Sequence, residues 1–479
     1  MPLAMPWIKK ILVFCLCTGL PFVQLRAQEK ISLQHAVELA LDRNLTIKQA
    51  QFNEALATED YKQAKNNLYP SLGVNSQGSY NFGRSPNLTT YSYTSQSFMY
   101  INGQAQASIT LFEGGQLRNQ ILQNRIALDA SKTSTAKVKN DLVLSVVTTY
   151  LQVLTNQDLL TAAQQQIAIA KLTLDRWQKN FNAGNATLAD LSQAKAQLST
   201  AELNLTNAQN QVDLTILALK QYMEMDPTTQ IVIEKPDISK ITNVQLLYNA
   251  QDVIKTALNI NPDIQLAETQ ERGYAQAVRV AKANYYPVLS LFGSLGSNYS
   301  SVSKNVIGVT TVTQQIGVVQ GTNEPVFGQF QSAVYAPSYS ITSQFGNNFN
   351  QSVGLNLQIP VFNRFQARTY VRKAQINYEN ARVATQLAKN TLTKTIIQAV
   401  SDLSAAERKY QSAVQTYNAN KDAFNVTEQR YNVGLVNSLD YNTSLTNLNK
   451  SENDMIEARY EMIFRSKVID YYLGNPITL

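Results

Sequence analysis

The sequence predicts a mainly α fold with a membrane β-barrel portion, built from long coiled-coil helical hairpins and two β-hairpins per chain in two internal repeats. Three observations carry this reading. First, the chain repeats itself. At an offset of 217, Ala40-Leu41, Asn44, Ile47, Ala50, Glu54, Ala64-Lys65, Asn67, Tyr69-Pro70 and Leu72 match Ala257-Leu258, Asn261, Ile264, Ala267, Glu271, Ala281-Lys282, Asn284, Tyr286-Pro287 and Leu289. Past the strand segments the offset becomes 250, pairing Phe112, Leu142, Asn182, Gly184, Asp190 and Tyr222 with Phe362, Leu392, Asn432, Gly434, Asp440 and Tyr472. Such a period is far too long for a short-repeat solenoid and marks a duplicated unit. The offsets differ by 33 residues, all inside the second hairpin. Second, residues 116–183, 185–226, 363–433 and 435–473 contain neither glycine nor proline. Third, the segments between the helices switch from helical to period-two alternation.

Taken in order, the chain opens with Lys9-Lys10, an apolar run from Ile11 to Leu20, then Pro21 and the small residue Ala27. That run is too short to span a bilayer and has the form of a secretory leader, read here as residues 1–28. The only two cysteines, Cys15 and Cys17, would leave with it. Disulfides, thiolate catalysis and cysteine metal sites are then excluded from the mature chain. Without Lys9, Lys10 and Arg26 the balance is 38 basic against 34 acidic residues. So small an excess, with no basic run, gives no case for nucleic acid as a partner. A first repeat is expected over 29–227, a linker over 228–247, a second repeat over 248–474 and a tail over 475–479.

A helix of about 65 residues would run roughly 100 Å at 1.5 Å per residue. Its apolar positions recur at threes and fours: Leu142, Leu144, Val147, Leu151, Leu154 and Leu159 in the first copy, and Ile397, Val400, Leu403, Tyr410, Val414 and Tyr417 in the second. So narrow a stripe implies helix-on-helix packing. These residues alone fit a solvated coiled coil without a channel equally well. Each long helix is broken once, at 182–187 and at 432–437, where Gly184 and Gly434 can take the left-handed conformation that ends a helix. Thr187 and Asn437 follow as N-caps, with Asp190 and Asp440 three residues on, close to a capping box.

Between the helices, hairpins are expected at about 71–111 and 288–361. Leu72, Val74, Gly78 and Tyr80 alternate with Ser71, Asn75, Gln77 and Ser79, and Ala105, Ala107 and Ile109 with Gln104, Gln106 and Ser108. Leu289, Leu291 and Leu295, then Val353, Leu355 and Leu357, do the same in the second copy. Apolar on one face and neutral polar on the other, at about ten residues, suits a tilted barrel strand. Four strands cannot close a barrel and would leave edges open in hydrocarbon. Several chains must pool them, three giving twelve; the competing reading packs a water-soluble sheet on the helices. Residues 83–97 and 300–351, rich in Ser, Thr, Tyr, Asn and Gly, read as exposed loops. Tyr69, Tyr80, Phe82, Phe98, Tyr100, Phe112, Tyr285, Tyr286, Phe292 and Phe362 cluster at strand ends, as an interfacial girdle would.

Catalytic chemistry finds no residues. His35 is the single histidine and falls three positions after Ser32, where a helix cap explains it. No glycine-rich phosphate loop or metal-ligand cluster is present, and no cofactor is expected.

The chain resembles the TolC-like outer membrane efflux protein family over nearly the whole mature length. The resemblance rests on Ile31-Ser32-Leu33 followed by Ala36-Val37-Glu38-Leu39-Ala40-Leu41, on Asn261-Pro262-Asp263-Ile264, on the two Tyr-Pro pairs before the strands, on Phe112-Glu113-Gly114-Gly115, and on Val433-Gly434-Leu435. Three departures stand out. Asn44-Leu45 lacks the second copy's proline, Arg364-Phe365 replaces the glycine pair, and Thr443 stands where a second acidic residue would fall. The resemblance implies a homotrimer, with a 12-stranded β-barrel in outer membrane lipid and an α-barrel through the periplasm. It implies a periplasmic adaptor docked on the tips (Ala183, Gly184, Asn185, Val433, Gly434, Leu435) and fed by an inner-membrane pump of RND, ABC or MFS type. It also implies a constriction at Asp190 and Asp440, each of which has the plainer reading of a helix cap. The alternative is a periplasmic coiled-coil adaptor or scaffold without a channel, which would call for an inner-membrane anchor and a lipoyl-like β segment that the sequence does not display.

Overall fold

The computed structural model describes residues 29–87, 92–95, 97–236 and 248–475. The expected leader lies outside the described residues, as do most of the expected linker and tail. The chain divides into two compact units, each drawing on both repeats. One contains Lys132–Leu266, Gln386–Leu479 and the described residues up to Asn53; the other contains Glu54–Ser131 and Ala267–Thr385.

The first unit is helical. Strand β1 (Glu29–Ile31) leads into α1 (Leu33–Arg43), capped by Ser32, whose Oγ accepts from the His35 N–H at 3.2 Å. Asn44 then ends α1 in an extended conformation, and its Oδ1 accepts from the Thr46 N–H at 2.9 Å to start α2 (Leu45–Asn66). Asn261 performs the same double duty between α5 (Ala250–Ile260) and α6 (Pro262–Lys282), accepting from the Asp263 N–H at 2.8 Å. Pro262 suits the first helical position, where its missing N–H costs nothing. The asparagine suffices in the first copy, which explains why Leu45 can stand there.

The long helices are α3 (Gln116–Asn182) and α8 (Gln366–Asn432), each 67 residues, returning as α4 (Leu188–Tyr222) and α9 (Ser438–Leu473). Their seams are buried, with one correction. In α8 the buried line is Leu392, Ile396, Ala399, Leu403 and Ala406, spaced four, three, four, three, while Ile397 is half exposed. This is the heptad alternation of a coiled coil, and Ile397 falls one position off it. The first-repeat core adds Val146, Tyr150 and Val153, all fully buried.

Part of that core comes from two strands the sequence did not reveal. Strand β6 (Ile231–Ile233), inside the expected linker, pairs in parallel with β1. Three-residue strands are too short to show a period; burial recruits them. The Tyr150 hydroxyl donates to the Glu234 carbonyl at 2.7 Å and lies 3.1 Å from the Ile31 carbonyl, fastening both strands to α3. Burial raises the Tyr150 pKa, so the donor stays protonated. Nearby, Asp158 of α3 is buried and receives Arg459 at 2.6 Å, the Tyr460 hydroxyl at 2.9 Å, and Lys235 from beyond β6.

The second unit holds a four-stranded antiparallel sheet in the order β10-β7-β5-β2: β2 (Ser71–Asn81), β5 (Phe98–Glu113), β7 (Val288–Ser300) and β10 (Asn350–Gln358). The expected loops contain structure. Residues 83–97 include β3 (Ser85–Asn87) paired with β4 (Ser92–Thr94). Residues 300–351 include an antiparallel hairpin of β8 (Val306–Val318) and β9 (Pro325–Tyr335), then the short helix α7 (Ile341–Asn347). Their Thr and Gln content reads as loop, yet Val306, Val309, Val312, Phe327 and Phe330 supply strand formers.

Asp158→Ala should be costly, because it strands buried partners: about 3 kcal/mol, the low end for a broken buried pair given the half-exposed Lys235. Removing Lys62, whose 2.8 Å pair with Glu59 is exposed, should cost under about 1 kcal/mol. Thermal unfolding followed by circular dichroism distinguishes the two; equal melting temperatures would show that Asp158 fastens nothing.

Candidate functional site

Two places combine exposure with built geometry: the helical-hairpin tips and the faces of the sheet. At the first tip Gly184 has φ +75°, and at the second Gly434 has φ +76°. Asn185 N–H donates to Asn180 O at 2.9 Å and Gly184 N–H to Phe181 O at 3.0 Å; Leu435 to Arg430 and Gly434 to Tyr431 repeat the pair at 2.9 and 3.0 Å. Both are Schellman closures, which need a left-handed residue at the glycine. Thr187 and Asp190 complete a reciprocal capping box. At the second tip the Asn437 side chain accepts from the Asp440 N–H at 2.9 Å, and no hydrogen bond to the Asp440 carboxylate forms among the described residues.

The two tips touch through residues that the alignment treats as equivalent but the fold uses differently. Asp190 Oδ1 accepts from the Ser438 hydroxyl at 2.7 Å, and Arg176 donates to Asn432 Oδ1 at 2.6 Å. Behind these, Tyr431 stacks on Tyr441 at 4.6 Å and meets Trp177 at 5.8 Å, joining the cluster of Trp177, Leu191 and Ala194 to that of Phe424, Tyr441 and Leu445. Burial pushes the Tyr431 hydroxyl up to about 12. Hydrogen bonds from Thr187 and then from Ser438 lower the Asp190 pKa, keeping it charged. Asp190, rather than Asp440, is therefore the carboxylate that joins the hairpins. Sequence reasoning missed Ser438 and Arg176; nothing in their spacing signals a contact between repeats. Outward, Val433 and Leu435 are each 70% exposed, and Leu188 and Leu439 add to the apolar surface, while Ala183 and Asn185 are exposed opposite them in the first turn.

On the sheet, residues directly opposite share a face. One row runs Leu72, Ala107, Gly293, Val353 and a second Val74, Ala105, Leu295, Gln351; on the reverse face run Gly73, Gln106, Ser294, Ser352 and Asn75, Gln104, Gly296, Asn350. Apart from Gln351 at its end, the first face is apolar and open, with Leu72 and Val74 about three-quarters exposed. The second is neutral and polar, with Ser294 Oγ and Ser352 Oγ 2.8 Å apart. The expected girdle needs correction at three residues. Phe98 is buried, Tyr100 is half-buried, and Phe292 lies on the polar face across Gly354, where a Cβ would come within 2.8 Å of its ring. Such an aromatic covers a cross-strand glycine instead of facing lipid. Among the described residues no helix is long and apolar enough to cross a membrane.

The tip contact should be pH-dependent in one direction. A carboxylate with a depressed pKa gives its stabilisation above the ordinary carboxylate range and loses it as pH falls through its own, lowered value. Trp177 is the only tryptophan outside the expected leader, so its emission reports on the tip. Emission should be constant from pH 8 to 5 and shift below about pH 4, while Asp190→Asn should show the acid spectrum at neutral pH. No shift in either would mean that the Asp190–Ser438 bond does not hold the tip.

The comparisons agree with this architecture. The family model for outer membrane efflux protein matches residues 36–223 and 253–475. The outer membrane protein TolC of Salmonella enteritidis is 23% identical over 450 residues, 93% of this chain and 82% of that protein. The pyoverdine export outer membrane protein OpmQ of Pseudomonas putida is 24% identical over 355 residues, 74% of this chain and 66% of that one. Among solved structures, the Campylobacter jejuni CmeC outer membrane channel superposes with a TM-score of 0.70 at 18% identity, covering 92% of this chain and 85% of that chain. Vibrio cholerae VceC gives 0.67 at 17% identity, covering 92% and 94%. With its helical hairpins, its amphipathic sheet and the match over both repeats, the chain belongs to the outer membrane efflux protein family, and it is an outer membrane channel that extends into the periplasm.

Proposed function

We propose that this chain is the exit duct of a tripartite efflux pump or type I secretion system, three copies pooling their sheets into one 12-stranded barrel. Channels of the family work in general as trimers with an adaptor and an inner-membrane pump. The observation that carries the reading here is the sheet. It has an exposed apolar face, a neutral polar face, and one unpaired edge on each of β2 and β10. Hydrocarbon tolerates no such edge, so closure needs further copies. In this reading the duct conducts passively and the partner pump supplies the work. Relatives are named for pyoverdine export and antibiotic efflux, so kinship does not fix a cargo. Asp190 and Asp440 line the periplasmic constriction in this reading, the first as a link between hairpins and the second as exposed charge.

Mass measurement in mild detergent tests the assembly: a trimer is expected, and a stable monomer would overturn it. The tips test the coupling. Val433, Leu435, Leu188 and Leu439 form an apolar surface with little reason to face water unless an adaptor covers it. Leu435→Asp combined with Asn185→Asp should leave trimer levels in the outer membrane unchanged and abolish export, because a charge would be desolvated at the contact. Export at the wild-type rate would mean that the adaptor docks elsewhere.

A further inference from the structure

Strand β10 is shorter than the strand it pairs with. Its nine residues accompany β7 only as far as the pair Asn350–Gly296, leaving residues 297–300 without a strand on that side. Backbone groups along an antiparallel strand turn alternately to its two sides. The Ser301 N–H turns toward β5, donating to the Met99 carbonyl at 2.9 Å, so Asn298 and Ser300 present theirs to the open side. The first repeat has no such gap, because β2 accompanies β5 out to the pair Asn81–Phe98.

Side-chain amides fill the row. Gln344 of α7 is 1% exposed; its Oε1 accepts from the Ser300 N–H at 2.9 Å, and its Nε2 donates to the Ser300 carbonyl at 3.1 Å and the Tyr339 carbonyl at 3.0 Å. Asn348 Nδ2 donates to the Asn298 carbonyl at 2.8 Å. A primary amide carries both the donor and the acceptor of a peptide group, so Gln344 does for Ser300 what a strand residue would do. Water would satisfy those groups unaided, whereas hydrocarbon would not.

The helix lies on the apolar face. Gly103 and Ser297 are paired, two positions along from Ala105 and Leu295, and so share their face. The Ser297 hydroxyl donates to the Phe345 carbonyl at 2.7 Å, and a Cβ on Gly103 would stand 3.8 Å from the Phe345 ring. These small residues interrupt the apolar rows where α7 covers them. No charged residue occurs from Pro325 to Asn363, and Ile341 and Phe349 are 47% and 56% exposed.

Resting on the reading of the chain as a barrel whose apolar face meets lipid, we propose that residues 339–349 form a bracket on the outer wall at membrane depth, with Ile341 and Phe349 against the acyl chains of the surrounding lipid. The bracket continues the lipid-facing surface past the end of β10 and closes the edge that the short strand leaves bare.

Quenching of tryptophan by brominated acyl chains tests this. Trp177→Phe removes the only tryptophan outside the expected leader. In that background Ile341→Trp and Phe349→Trp are introduced singly, and each full chain is inserted into phosphatidylcholine vesicles with plain or brominated chains. Bromination should lower emission several-fold at both positions, as it should for Leu72→Trp on the open apolar face, and leave Asn75→Trp on the polar face unchanged. Adding Gln344→Leu to Phe349→Trp should weaken the quenching several-fold, because nothing then holds α7 to Ser300; unchanged quenching would overturn the role given to Gln344. If Ile341→Trp and Phe349→Trp keep full emission while Leu72→Trp loses it, α7 lies in water and the bracket is refuted with the barrel intact. If Leu72→Trp in the inserted chain also keeps its emission, the apolar face does not meet lipid and the barrel reading itself falls.

Discussion

A strand edge in hydrocarbon has nowhere to send its backbone hydrogen bonds, and that constraint organises this molecule. The sheet satisfies three ladders internally and leaves one unpaired row at each end. Everything about its side chains accepts the consequence. Apolar groups cover one face without a core behind them, and the reverse face carries neutral amides and hydroxyls. A soluble protein would bury the first face on a helix, whereas here it stays open along Leu72, Val74, Val353 and Leu355. The same chemistry forbids the isolated chain from being the finished structure in a membrane.

The helices face a different problem, since water satisfies their ends but offers a thin seam little support. A heptad line such as Leu392, Ile396, Ala399, Leu403 and Ala406 gives one stripe of burial, too narrow to fix a 67-residue helix against sliding or rotation. Directional contacts supply what the stripe cannot. Tyr150 fastens β1 and β6, Asp158 gathers Arg459, Tyr460 and Lys235 from separate segments, and Asp190 meets Ser438 where the hairpins turn. These groups sit at intervals along the seam, and each ties one repeat to the other or to its flanking strands.

What the sequence made legible follows from this division. Periodicity and glycine placement exposed the long helices, their single breaks at Gly184 and Gly434, and the four strands, because each of those is dictated locally. Asn44 and Asn261 match in the repeat alignment, but their role in ending one helix and starting the next comes from the structure. Contacts between repeats were not legible: Asp190 and Asp440 look equivalent in sequence, and only the packing of one hairpin on the other makes the first a link. Strand β6 and the β8–β9 hairpin were also missed. The former is too short to show a period, and the latter is written in Thr and Gln, which serve loops and exposed strands alike.

The two copies also differ where the strands hand over to the helices, and the difference is informative. Gly114 and Gly115 take positive φ after β5, and Arg364 and Phe365 hold the same left-handed pair after β10. For residues with a Cβ that conformation costs about 1–2 kcal/mol each, so the turn is imposed by the fold and not by its local sequence. Glycine is indispensable only in the first copy. A Cβ on Gly114 would lie 2.7 Å from Tyr286 Cβ and 2.9 Å from the Ala283 carbonyl, because the β5 exit is packed against the β7 entry. Arg364 is exposed in the chain, and among the described residues no comparable packing fixes the turn after β10. The β2–β5 and β7–β10 ladders keep equivalent registers, so the asymmetry is confined to the residues just beyond the strand ends.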